Sequence, residues 1–155
     1  MDVLEGNSEI KIIERPVDLD AKPFIPEGWS LAKNEDGTPC HRQGGKWNYD
    51  RTKIKAYTSK SQLKGHGVKW PDLYKELEDQ LVINANLLDF YLKHKHLIPL
   101  NWNNSIILFC GTTYRDCNNQ LRVRYLHHNG NDWAGGSTPI DINFGHHSLA
   151  LVQVK

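Results

Sequence analysis

Long apolar runs are missing from this 155-residue chain, and cysteine is scarce. No stretch approaches the roughly 20 apolar residues that a membrane-spanning helix needs. The first residues, Met1-Asp2-Val3-Leu4-Glu5-Gly6, have neither the basic nor the apolar region of a secretory leader. Three cysteines, Cys40, Cys110 and Cys117, form no CxxC and are too few and odd in number for a disulfide framework. That usage fits a reducing compartment. A net charge of +1 excludes a strong global field. Phosphate-loop chemistry is also absent, since Gly135-Gly136-Ser137-Thr138-Pro139 lacks the spacing and the lysine of a P-loop. The expectation is one cytoplasmic protein without a membrane segment or a cofactor.

What the chain does have is concentrated in its middle. Ile83, Leu87, Leu88, Tyr91 and Leu92 share one side of a 3.6-residue helix, with Asn86, Asp89, Lys93 and His96 elsewhere. Asn84 or Asn86 supplies an N-cap, and Lys93 to His96 place positive charge at the helix end. Pro99 stops it. The run Ser105 to Cys110 then reads as a strand covered on both faces. Upstream, Trp70-Pro71-Asp72 announces another helix to about Gln80. Downstream, Leu121 to Leu126 alternates as a half-buried strand, Asn129-Gly130 signals a type I′ hairpin turn, and Gly135 to Pro139 interrupts the return. Leu149 to Val154 makes a last strand.

Together these elements predict an α+β fold: a twisted antiparallel sheet, the C-terminal meander, with two central helices packed on one face. Residues 1–22 read as an acidic arm, with six acids against three bases and one apolar cluster, Ile10, Ile12 and Ile13. Residues 23–155 form a single domain.

Several words of the chain carry a resemblance. Asn84-Ala85-Asn86-Leu87-Leu88-Asp89, Leu97-Ile98-Pro99-Leu100-Asn101-Trp102, Phe109-Cys110-Gly111-Thr112-Thr113-Tyr114-Arg115-Asp116 and Val123-Arg124-Tyr125-Leu126 through Trp133 occur in that order. Over about residues 81–133 the chain resembles a family of small uncharacterised proteins from bacterial and mobile-element (phage) genomes. The resemblance implies a single intracellular domain and carries no activity, cofactor or catalytic residue with it.

Charge patterning gives the leading functional expectation. From Cys40 to Lys69 there are eight bases and one acid, a formal charge of +7, interleaved with aromatic residues. Cations neutralise phosphates and flat rings stack on bases, so this alternation suits nucleic acid, a nucleotide or a protein partner. The candidate binding residues are Arg42, Lys46, Trp47, Tyr49, Arg51, Lys53, Lys55 and Tyr57, joined by Arg122 and Arg124, which share a strand face and suit a phosphate or carboxylate. The function expected is a non-catalytic binding module, with a mobile-element protein acting on a host target as one version of it.

A His-dependent metal hydrolase is the alternative from a different class. His94 and His96 are two apart, while His127-His128 and His146-His147 are adjacent pairs. None has the i, i+4 spacing of a helical ligand pair. The reading therefore requires separate clusters to converge, with Asp132 or Asp141 as a hard ligand. Cys110 reads as buried packing.

Overall fold

The computed structural model describes residues 15–155. Turn chemistry keeps the first strands short. β1 (Pro16–Asp18), β2 (Ser30–Leu31) and β3 (Lys46–Asn48) are separated by stretches rich in proline and glycine. β4 (Ile54–Tyr57) leads into α1 (Lys60–Leu63), which opens on a capping box: the Ser59 hydroxyl accepts from the Gln62 N–H, and the Gln62 side chain accepts from the Ser59 N–H. β5 (Val68–Lys69) runs directly into α2 (Trp70–Glu76), with Pro71 in its first turn. β6 (Leu81–Val82) then precedes α3 (Ala85–Lys93), whose N-cap is Asn84.

The C-terminal half is strand. β7 (Ile106–Leu108), β8 (Tyr114–Arg115), β9 (Leu121–His128), β10 (Trp133–Pro139), β11 (Asn143–Phe144) and β12 (Ser148–Gln153) follow in order. β9 is the axis of the main sheet. It pairs along its length with β10 on one side and with β7 and β8 on the other. All these pairs are antiparallel. β12 enters the middle by lying parallel to β7, and its other partners, β4 and β6, are antiparallel to it. β2 extends the sheet beyond β8, while β1–β3 and β5–β11 are small separate pairs.

Neighbouring residues of a strand point to opposite faces, which assigns the two helices. Ile107, Leu126 and Leu151 cluster with Leu87, Leu88 and Tyr91 of α3. Leu108, Val123, Ala150 and Val152 cluster instead with Leu73 and Leu77 on and just after α2. The α+β class and the C-terminal sheet are as expected. The helices, however, cover one face each rather than a common face, because β7 and β12 are apolar at consecutive positions and need cover on both sides.

Three local expectations also change. The β9–β10 connection is a four-residue loop, 129–132, in which only Gly130 has positive φ, so it is not the type I′ turn. Gly135 to Pro139 does not interrupt the return but pairs with β9 throughout. A Cβ at Gly136 would lie 2.6 Å from the Tyr125 ring, so glycine is what lets that ring lie across β10. Finally, Val17 and Leu19, inside the expected acidic arm, are core residues with 3% and 0% exposure. The cluster Ile10, Ile12 and Ile13 lies outside the described residues.

Candidate binding site

The ten expected binding residues fall into four places. Trp47, Tyr49 and Lys53 lie together on the α3 side, with Lys46 beside Asp18 at 4.0 Å and Arg51 exposed in the short 3₁₀ turn before β4. Lys55 and Tyr57 point the other way. Tyr57 packs in the α2-side core and donates its hydroxyl to Glu76 at 2.9 Å. Burial and that carboxylate push the Tyr57 phenol up to about 12. Arg42 is exposed at a separate cleft of about 430 Å³, shared with Cys40, Cys110, Tyr74 and Glu78.

Arg122 and Arg124 are corrections to the expected binding set. Arg124 is only 8% exposed and holds Asp89 of α3 in a two-pronged pair at 3.1 and 3.0 Å. Its guanidinium also lies 5.3 Å from the Phe24 ring. Arg122 bonds Asp116 and Ser137 and sits 5.7 Å from the Trp29 ring. Both therefore point toward the α3 side, where the segment carrying Phe24 and Trp29 covers them, and their donors are taken up internally.

The first group continues into a feature that sequence patterning did not show. Trp47 stacks on Tyr49 at 6.5 Å, Tyr49 stacks on Phe90 at 5.4 Å, and Phe90 meets His94 at 4.6 Å. This is a strip of half-buried rings running from β3 onto α3, with the Lys53 ammonium 5.8 Å from the Trp47 ring centre at its far end. The Tyr49 hydroxyl fixes the strip to the core through Tyr91 at 2.7 Å and the Leu97 carbonyl at 3.2 Å. The buried Trp47 Nε1–H has no partner among the described residues. Phe90 and His94 are four apart on α3, the one sequence signal that could have placed them on a shared face. They line a cleft of about 600 Å³ together with Lys22, Phe24, Asp89 and Lys93.

Beside the cleft a buried polar hub holds irregular backbone in place. The Asn84 side-chain amide donates to the Leu19 and Arg42 carbonyls, both at 2.7 Å, while its oxygen caps α3 through the Asn86 N–H. Thr112 accepts from the Ala85 N–H at 2.9 Å. His41 bridges Thr112, 2.9 Å from Nδ1, to the Ala21 carbonyl, 3.1 Å from Nε2. A carbonyl only accepts, so Nε2 carries the proton and Nδ1 accepts from the Thr112 hydroxyl. Burial lowers the His41 pKa below its ordinary value. Gly111 completes the hub, because a Cβ there would sit 2.7 Å from the Asn84 nitrogen.

The histidine pairs stay local. His94 and His96 are 6.3 Å apart by ring centre and His146 and His147 3.9 Å, and among the described residues no three His, Cys, Asp or Glu form a metal-holding group. The convergence that the hydrolase reading requires is therefore not found there. Cys110 is only partly buried, packed against the α2-side core, and desolvation pushes its thiol up to about 12. No helix among the described residues is long and apolar enough to cross a membrane. No family model, curated protein or solved structure matches the chain.

Proposed function

We propose that the protein is a binding module for a flat, anionic ligand, a nucleotide or single-stranded nucleic acid, taken along the Trp47–Tyr49–Phe90–His94 strip toward the adjoining cleft. The observation that carries this reading is the strip itself, with Lys53 over Trp47. Rings in series offer stacking area to bases of any identity, and cations at the margin meet phosphate. Lys46, Arg51 and Lys53 at one end and Lys93 and His94 at the other are spaced along the rings as that requires. Arg122, Arg124 and Tyr57 play no part in it, since their polar ends are already engaged.

Tryptophan fluorescence titrated with a random single-stranded oligonucleotide at two salt concentrations tests the proposal. Binding weakens with salt, and Lys53→Ala reduces the salt slope by about one unit if that lysine meets one phosphate. Phe90→Ala weakens binding by about 1 to 3 kcal/mol through lost stacking. No binding at low salt, or binding indifferent to salt, removes the nucleic-acid reading.

A protein partner is the second reading, favoured by β10. It is the outer strand beside β9, seven residues long and without a charged side chain. Edge strands of that kind accept an added strand. Capture of a partner by the wild type and not by a Gly135→Pro variant, with no response to oligonucleotide, would select this reading.

A further inference from the structure

The loop 129–132 assembles a chemical site that neither the strip nor the clefts use. The side-chain oxygen of Asn129 accepts from two backbone N–H groups, those of Asn131 and Asp132, both at 3.0 Å. The next backbone nitrogen, that of Gly130, donates its hydrogen to His128 Nδ1 at 3.2 Å. Nδ1 therefore carries a lone pair aimed at that N–H. The imidazole is held in place by the edge of Trp133, 5.1 Å away by ring centre, and Trp133 is itself buried. The far side of the loop is tied to α3's end by Lys95, 2.6 Å from Asp132. Asn129 and Gly130 are exposed, and open space surrounds the Gly130 α-carbon.

A nitrogen next to a lone-pair base, adjoining an amide whose oxygen is already polarised by two donors, has the parts of an intramolecular acyl transfer. We propose that Asn129 is a self-modification site, converting through a cyclic imide to aspartate and isoaspartate with His128 as its general base. The Gly130 nitrogen attacks the Asn129 side-chain carbonyl carbon while His128 Nδ1 takes the amide proton. Negative charge collects on the oxygen that faces the Asn131 and Asp132 N–H groups. The bond to the side-chain nitrogen then breaks, His128 returns the proton to it, and ammonia leaves. A five-membered succinimide remains. Water opens that ring at either carbonyl, giving aspartate or isoaspartate, so the net change is one water consumed and one ammonia released. No oxidant, metal or second protein enters. Glycine at 130 matters because its φ of 98° is one that residues with a side chain rarely adopt.

The product differs from the starting loop in two ways. A negative charge appears beside Asp132, and the isoaspartate form lengthens the backbone within the β9–β10 connection. Either change acts on β10, the outer strand of the sheet.

Incubating the full-length protein at neutral pH, with intact mass and peptide mapping over time, tests this. Conversion accumulates at position 129 ahead of every other asparagine, and His128→Gln slows it by about a hundred-fold, the low end of what a positioned base supplies. The same substitution in a free peptide of residues 126–133 leaves the peptide's rate unchanged. Equal rates in wild type and His128→Gln overturn the proposal, as does an equal slowing in the peptide. If His128→Gln does not fold, the wild type with and without urea decides: the folded chain converts faster, and an unfolded chain that matches or exceeds it refutes the assignment.

Discussion

The two faces of the sheet are held by different physics. On the α2 face, Val68, Leu73, Leu77, Val123, Phe144 and Val152 pack as an apolar layer whose forces have little direction, and the buried directional bonds beside it are those of the Ser59–Gln62 box, whose Gln62 amide holds the Gly145 and Ser148 carbonyls. The α3 face has an apolar layer as well, but beside it lie the Asn84–Thr112–His41 hub and the Arg124–Asp89 pair. Hydrogen bonds have direction, so they can fix irregular backbone where no ladder exists. Residues 19–21, 40–42 and 111–112 are such backbone, and the hub sits where they meet α3. The ring strip and its adjoining cleft of about 600 Å³ lie on this directional face, while a wider cleft of about 890 Å³ lies beside α2 with Tyr57 as its one ring. Position is what a recognition surface needs most, and the α2 face supplies cover instead.

Breaking the hub tests that contrast most strongly. Asn84→Ala removes the α3 cap and leaves the buried Leu19 carbonyl and the part-buried Arg42 carbonyl without this donor. The expected cost is about 3 to 5 kcal/mol, summing a cap and two unsatisfied groups. Leu73→Ala on the other face, at 1% exposure, costs about 3 kcal/mol as a cavity. Stability measured by urea unfolding gives the two totals, and hydrogen exchange separates their kind. The Asn84 variant exposes the amides of 19–21 and 40–42 before global unfolding, and the Leu73 variant does not. Matching exchange patterns would dissolve the distinction between the faces.

Next in size is the buried ion pair. Asp89→Ala leaves the Arg124 guanidinium, its side chain 10% exposed, without its carboxylate. About 2 to 3 kcal/mol is lost, below the value for a fully buried pair because Asp89 is 28% exposed. Adding Arg124→Met to that variant recovers more than half, since the stranded charge is gone. A double variant no more stable than Asp89→Ala would show that Arg124 acts through its packing under Phe24 rather than its charge.

Apolar spacing made the skeleton legible in the sequence. Leu87, Leu88 and Tyr91 marked α3 and its buried face, Asn84 was one of two asparagines read as its cap, and Ile106 to Phe109 marked a strand covered twice. That double cover already implied a helix on each side, an inference that requires knowing the neighbours of β7. The parallel pairing of β12 with β7 could not be read, because register between distant strands leaves no local periodicity. Charge was the least reliable guide. Arg122 and Arg124 alternate as surface residues do, yet aromatic residues about a hundred positions upstream cover them. Trp47 and Tyr49 were recognisable as candidates, but Phe90 and His94 joined them only through tertiary packing.

The hub also sets a pH window. His41 has a lowered pKa in the folded protein, mainly through burial. Its contribution to stability is therefore fully present above the unfolded histidine value, about 6.5, and is lost as pH falls through the lower folded value. Unfolding midpoints decline across that interval, above the range where exposed carboxylates titrate, and His41→Gln flattens the decline. A slope of the same size in His41→Gln would move the effect to another group.

The smallest effect concerns the pair that looks best by distance alone. Lys95 meets Asp132 at 2.6 Å, closer than Arg124 meets Asp89 at 3.0 Å, yet the exposures are 41% and 59% against 10% and 28%. Water screens the first pair and repays either partner when the other is removed, so shortness adds little. Lys95→Ala leaves the unfolding midpoint unchanged within error. What Lys95 restrains is the 129–132 loop rather than the fold, and the same variant therefore broadens the loop's amide resonances around Asn131 without moving those of α3. A clear fall in stability would mean that the loop shares the cooperativity of the α3 face, and that exposure is the wrong quantity by which to rank the two pairs.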